Sequence, residues 1–192
     1  MDDGIEELRQ GFVGREPVLA VLDQLLVDGG IDRWVILTGG RGKGKSALLA
    51  NWLARRINAH DLVPHHFIRR QQCDRMEPSA IVRSLAAQIE ERYPGLRDPY
   101  ARPQARLAEL LARVSDRELA PRGVQMVLLV DGLDESHPVS DLRQLLASMP
   151  RALPPGIRLL CAGRHRAPER DGFEDRCGRL VPYARVTAGA AP

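Results

Sequence analysis

The chain has 192 residues, of which 44% are hydrophobic and 28% are charged, as is typical of one globular domain with a sizeable core. Its 28 basic and 25 acidic residues leave a net charge of +3 without any run of five like charges, so nucleic acid is not indicated as a partner. No apolar run approaches the roughly 18 residues that cross a bilayer. The acidic start MDDGIEELRQ does not resemble a signal peptide, and we expect a cytoplasmic protein without a membrane partner.

The hydrophobic pattern alternates helices with short apolar strands. Apolar residues recur at helical spacing from Val18 to Leu26, and Gly29-Gly30 end that helix. The elements expected next are, in chain order, a strand at 34–37, a helix at 46–57, a strand at 62–68, helices at 79–92 and 104–117, a strand at 124–130, a helix at 142–149, a strand at 157–162 and a last strand at 179–186. This alternation predicts an α/β fold with three layers, in which helices cover both faces of a parallel sheet.

Three parts follow from this pattern. Residues 1–30 form an N-terminal segment with the motif FVGRE and a helix, residues 31–186 form the α/β domain, and residues 187–192 form a small, flexible tail. Because the strands of such a sheet are parallel, their carboxyl ends lie at one edge, where ligands bind.

The stretch VILTGGRGKGKSALL, at 35–49, joins the first expected strand to the helix after it. It contains the pattern G-x-x-x-x-G-K-[ST], in which glycines let the backbone N–H groups surround a phosphate and the helix adds its positive end. Lys45 is expected to reach the β- and γ-phosphates, and Ser46 to offer its hydroxyl to Mg²⁺. The predicted binding residues are Gly39, Gly40, Arg41, Gly42, Lys43, Gly44, Lys45, Ser46 and Ala47.

Lys43 and Lys45 are the only lysines among the 28 basic residues. An ammonium is a compact point charge, which fits inside a tight loop where a planar guanidinium does not. This explains why position 45 is a lysine in a chain whose other basic residues are mostly arginine. Lys43 occupies a variable position of the pattern, and we expect its side chain to face solvent.

Acidic residues follow the strand expected at 124–130, in the stretch VLLVDGLDE. Asp131 stands at the carboxyl end of that strand, where a carboxylate can hold Mg²⁺ together with Ser46. Asp134 or Glu135 then orients or deprotonates the attacking water, and we favour Glu135 slightly. Arg164 follows the strand at 157–162. It would point to the γ-phosphate if that strand lies between the other two.

FVGRE at 12–16, the phosphate loop and LLVDGLDE together resemble the STAND class of P-loop NTPases, and most of all the NACHT-type modules of NLR-like proteins. The resemblance covers about 12–185 and implies a five-stranded parallel sheet in the order 5-1-4-3-2. It also implies that Val13, Gly14 and Arg15 line the base pocket and that Arg164 is the sensor-1 arginine.

The resemblance further implies a slow ATPase that binds ATP or ADP with Mg²⁺ and couples its nucleotide state to self-association and signalling. Members of this class continue into a helical domain and a winged helix, which nothing after Val186 supplies. We therefore expect a fragment or a minimal module of a larger assembly. Two other functions stay open: an assembly scaffold that binds nucleotide without catalysis, and an AAA+-like ATPase associated with DNA. The residues do not choose between ATP and GTP.

Overall fold

The computed structural model describes residues 3–27, 34–40, 42–68, 78–100, 106–132, 153–163, 172–174, 180–182 and 184–187. The helices of these ranges are α1 (Asp3–Arg9), α2 (Glu16–Leu26), α3 (Lys45–Asn58), α4 (Pro78–Arg92) and α5 (Arg106–Val114). Shorter helical turns are Pro94–Leu96, Ser115–Leu119 and Ala120–Arg122. The strands are β1 (Trp34–Thr38), β2 (His65–Phe67), β3 (Met126–Asp131), β4 (Ile157–Gly163), β5 (Gly172–Glu174), β6 (Leu180–Pro182) and β7 (Ala184–Thr187).

The main sheet of the described residues has five strands in the order β2-β3-β4-β1-β7, and every neighbouring pair is parallel. Numbered as the five strands expected from the sequence, this order is 5-1-4-3-2, so the predicted α/β architecture and strand order are confirmed. The strand expected at 179–186 is divided. Its first part, β6, pairs antiparallel with β5, and its second part, β7, joins the main sheet.

Helices cover both faces of the sheet, and the side chains of β3 alternate between them. Leu128 and Val130 pack into the cluster formed with α4 and α5, whereas Val127 and Leu129 pack into the cluster formed with α2 and α3. All six residues of β3 are buried. This explains the continuous apolar run in the sequence, which is typical of a parallel strand covered on both faces. Cys161 of β4 is a buried core residue, and this burial raises the pKa of its thiol.

Helix α1 is absent from the elements expected from the sequence. Its pattern is short and mostly polar, but Ile5 is 3% exposed and packs with Leu8 against the cluster on the α2 and α3 face. Tertiary burial, and not local periodicity, therefore stabilises this helix on α3. The helix expected at 142–149 lies outside the described residues. Within the described ranges, no helix is long and apolar enough to pass through a lipid bilayer.

Polar contacts fix α2 against α3 and the sheet. The indole Nε1–H of Trp52, in the fully buried part of α3, donates to Asp23 Oδ1 of α2 at 2.9 Å. At the last turn of α2, Arg158 Nη1 of β4 donates to the Leu25 carbonyl at 2.7 Å, where a cation is favoured by the helix dipole. These contacts set the position of the N-terminal segment relative to the helix that follows β1.

Replacing Asp23 with alanine is expected to destabilise the protein by about 1–3 kcal/mol, because the buried Trp52 N–H loses its acceptor. Urea denaturation of Asp23→Ala measures this loss. Asp23→Asn keeps a side-chain carbonyl oxygen and should recover most of it. Gln24→Ala, at an exposed position of the same helix, is the control and should change stability by less than about 0.5 kcal/mol. Equal stability of Asp23→Ala and Gln24→Ala would contradict this role of the carboxylate.

Candidate functional site

The loop between β1 and α3 turns tightly through glycines. Gly42 and Gly44 have φ values of +73° and +69°, a region that side chains rarely adopt. The Lys43 N–H donates to the Gly40 carbonyl at 3.4 Å and closes the turn. Gly42 and Gly44 are therefore required by the path of the backbone through this loop.

The N-terminus of α3 has no side-chain cap and no acidic residue in its first turn. Gly44 is the N-cap residue, and its carbonyl accepts from the Leu48 N–H at 2.9 Å. The first N–H groups of a helix have no partner within the helix, and they carry its positive partial charge. This end of α3 is therefore suited to an anion, with Ser46 and Ala47 half-buried in its first turn.

The two lysines of the loop have different surroundings. Lys45 Nζ donates to the Gly39 carbonyl at 2.8 Å and to the Gly40 carbonyl at 3.3 Å, so its ammonium lies across the loop. Lys43 is exposed, as expected from its variable position in the motif. Only the Lys45 charge is thus held at the loop by these contacts.

Asp131 ends β3 at the same edge of the sheet as the loop. Val130 of β3 and Ile36 of β1 both pair with Cys161 of β4, so they lie at the same level of the sheet. Asp131 is one residue further along β3, close to the end of β1. Asp131 is 3% exposed, and the alternation along β3 places it on the face covered by α3. Asp131 therefore lies at the carboxyl edge of the sheet and on the face of the helix that Ser46 opens, and a shared role of the two residues toward Mg²⁺ stays a prediction. A buried carboxylate and a helix-terminal hydroxyl are oxygen donors of the type that Mg²⁺ prefers.

Gly132 is required by a close backbone approach. Its φ is +80°, and a Cβ atom placed on it would lie 2.7 Å from the carbonyl oxygen of Ile68. The Ile68 N–H also donates to the Asp131 carbonyl at 3.0 Å. The small residue after Asp131 thus allows the chain after β2 to lie directly against the end of β3, which fixes the position of the acidic strand end.

The FVGRE segment lies against the phosphate loop and α3. Gly14 and Arg15 have φ values of +80° and +63°, and Val13 is 88% exposed. Arg15 Nη1 donates to the Lys43 carbonyl. Sequence reasoning missed this contact, because nothing local to FVGRE or to the glycine motif indicates it.

Glu16, the last residue of FVGRE, forms an ion pair with α3. Arg55 donates to both carboxylate oxygens of Glu16 at 2.7 and 2.8 Å. These hydrogen bonds lower the pKa of Glu16 from its usual value. The FVGRE segment therefore contacts the phosphate loop through Arg15 and contacts α3 through Glu16.

A family model described as nephrocystin 3, N-terminal, matches residues 23–164, most of the chain. The chain belongs to the nephrocystin 3 N-terminal family. The match includes the phosphate loop, α3 and the acidic end of β3, and it begins after FVGRE. In this family member, the contacts of Arg15 and Glu16 thus join a segment outside the matched region to residues inside it.

No curated protein matches the chain. Among solved structures, one titled "Structure of C. elegans PCH-2" matches over 96% of this chain at 14% identity, with a TM-score of 0.39. The chain covers 41% of the length of that structure.

Four of the predicted site residues lie outside the described residues: Arg41, Asp134, Glu135 and Arg164. Their roles stay predictions. The same holds for the assignment of Val13, Gly14 and Arg15 to a base pocket.

Proposed function

We propose that this nephrocystin 3 N-terminal family member is a STAND-class, NACHT-type module that binds ATP and hydrolyses it slowly. The observation that carries the proposal is the glycine loop between β1 and α3, with Lys45 lying across it and an uncapped helix N-terminus behind it. This combination of backbone N–H groups, helix dipole and ammonium is suited to a polyphosphate.

In this proposal, the loop amides and Lys45 neutralise the β- and γ-phosphates. Ser46 and Asp131 would hold Mg²⁺, which when bound screens the phosphate charge during transfer to water. Both residues fit that role, because Asp131 is buried at the carboxyl edge on the face of α3 and Ser46 opens α3. Glu135, or alternatively Asp134, would position the attacking water, and Arg164 would contact the γ-phosphate.

The proposed biological role is a switch. Nucleotide state would be coupled to self-association within a larger protein, and a faster turnover would need a further positive charge supplied by a neighbouring protomer. Slow hydrolysis suits such a switch, because the ATP-bound state then lasts long enough for the protein to associate.

Replacing Glu135 with alanine tests the catalytic part of the proposal. We expect turnover of ATP to fall at least about 100-fold with the Kd for Mg-ATP nearly unchanged, because positioning of water contributes to the transition state and little to ground-state binding. Asp134→Ala is the matched variant, with a smaller loss. Titration calorimetry measures binding, and release of phosphate measures turnover.

Two results would contradict the proposal in different ways. If the wild-type chain binds Mg-ATP but releases no phosphate above background, the assembly scaffold without catalysis is the better function. If the wild-type chain does not bind Mg-ATP or Mg-GTP at millimolar concentration, the nucleotide-binding function itself is wrong.

A further inference from the structure

We infer that Arg15 is a positioning residue for the phosphate loop, and that it holds one peptide group in the orientation that binds phosphate. The inference rests on the proposed nucleotide-binding function and goes beyond it. It gives Arg15 a role toward the polyphosphate in place of the base-pocket role that the sequence resemblance implies.

The guanidinium of Arg15 lies along the peptide group that joins Lys43 to Gly44. Its Nη1 donates to the Lys43 carbonyl. A Cβ atom placed on Gly44 would lie 3.4 Å from Nη1 and 3.5 Å from Nη2, so the guanidinium occupies the space beside the Gly44 Cα. This is a contact with the main chain of the loop, and it does not depend on the side chain at position 43.

The hydrogen bond to the Lys43 carbonyl also determines where the Gly44 N–H points. The C=O and N–H of one trans peptide group point in opposite directions, and the described residues contain no cis peptide bond. A donor that fixes the Lys43 carbonyl therefore also fixes the Gly44 N–H, directed away from Arg15. Gly44 is the N-cap residue of α3, so this N–H belongs to the set that the motif offers to phosphate.

The loop needs such a restraint because glycine is conformationally free. Gly42 and Gly44 both lie in the positive-φ region, which glycine enters and leaves at little cost. Without a restraint, the Lys43–Gly44 peptide could rotate, and part of the binding free energy would be lost in ordering it.

Arg15 is itself held in place. It is the N-cap residue of α2, and its carbonyl accepts from the Val18 and Leu19 N–H groups at 3.0 and 3.1 Å. It is a non-glycine residue at φ +63°, a conformation that persists only where surrounding contacts impose it. The bidentate pair between Glu16 and Arg55 adds a second attachment to α3. The guanidinium is therefore presented to the loop by a residue whose carbonyl is hydrogen-bonded into the first turn of α2.

The test compares a ligand that has a base with one that has none. The Kd values of Mg-ATP and of sodium tripolyphosphate with Mg²⁺ are measured by titration calorimetry for wild type, Arg15→Met and Arg15→Lys. All titrations are made well below the melting temperature of each ligand-free variant. Arg122→Met is the matched control, since Arg122 is exposed and pairs only with Glu118 among the ion pairs of the described residues.

We expect Arg15→Met to weaken both ligands by the same factor, about tenfold, which corresponds to about 1.4 kcal/mol. Arg15→Lys keeps a donor and should lose less than Arg15→Met. Arg122→Met should leave both Kd values unchanged. If Arg15→Met does not fold, an equal loss for both ligands in Arg15→Lys carries the same conclusion.

If Arg15→Met weakens binding of Mg-ATP and leaves the Kd for tripolyphosphate unchanged, the inference is overturned, and the base-pocket role of Arg15 is favoured. Unchanged affinity for both ligands would also overturn it and would leave the proposed function intact. If wild type binds neither ligand, the proposed function fails, and this inference fails with it.

Discussion

Replacing Lys45 with alanine is expected to weaken Mg-ATP binding by about 100-fold, because charge-assisted contacts to two phosphates contribute about 3 kcal/mol. Wild-type protein at a ligand concentration of about 100 times Kd should gain roughly 5–10 °C in melting temperature, and Lys45→Ala should gain almost nothing. The ligand-free stability should change little, since Lys45 Nζ is hydrogen-bonded to loop carbonyls and not to the core.

The control for this result is the other lysine of the chain. Lys43 is exposed, and the loop uses its main chain, whose carbonyl and N–H are unchanged in Lys43→Ala. We expect this variant to bind Mg-ATP within about twofold of wild type, since a solvated charge outside the phosphate contacts contributes little. Equal losses in the two variants would show a general effect of positive charge, and would contradict the specific role given to Lys45.

Replacing Gly132 with alanine is expected to destabilise the protein by about 2–4 kcal/mol, one of the larger effects of a single methyl group. Two costs combine. The φ of +80° is unfavourable for alanine, and the new Cβ would lie 2.7 Å from the Ile68 carbonyl oxygen, which belongs to backbone and cannot turn aside. Urea denaturation at 25 °C measures the free energy of unfolding.

Two further glycines separate these costs. Gly123 has a φ of +62° with nothing within 4 Å of an added Cβ, so Gly123→Ala should lose only about 1–2 kcal/mol from the backbone conformation. Gly95 has open space and no positive φ, and Gly95→Ala should be neutral or stabilising by up to about 1 kcal/mol. A loss at Gly132 no larger than that at Gly123 would show that the approach to Ile68 has no energetic consequence.

The fold was predictable where the sequence carries strong local signals. The apolar runs of β1, β3 and β4 identify strands, and the glycine loop fixes where α3 begins. The order of the strands did not follow from these patterns. It came from the family resemblance. The division of the last strand also escaped prediction, because Leu180–Pro182 and Ala184–Thr187 pair with different partners.

The candidate site divides in the same way. The phosphate loop is a local motif, so its residues could be named from the sequence, and Asp131 could be named from its place after an apolar run. The physical reason for Gly132 could not, because it depends on Ile68, which is distant in sequence. The Arg15 contact with Lys43 joins residues 28 positions apart and has no signature in either motif. Side-chain contacts between segments are set by tertiary packing, which periodicity does not encode.

The proposed function depends above all on binding of the phosphates of a nucleotide by the backbone from Gly39 to Ser46. The most direct measurement is a ¹H–¹⁵N correlation spectrum of the ¹⁵N-labelled protein during titration with Mg-ATP, with adenosine at the same Mg²⁺ concentration as the comparison. We expect saturable shifts of the Gly44, Lys45 and Ser46 amides with Mg-ATP, at the Kd found by calorimetry, and no shifts of these amides with adenosine and Mg²⁺. Binding of Mg-ATP that leaves these three amides unmoved would contradict this role of the backbone.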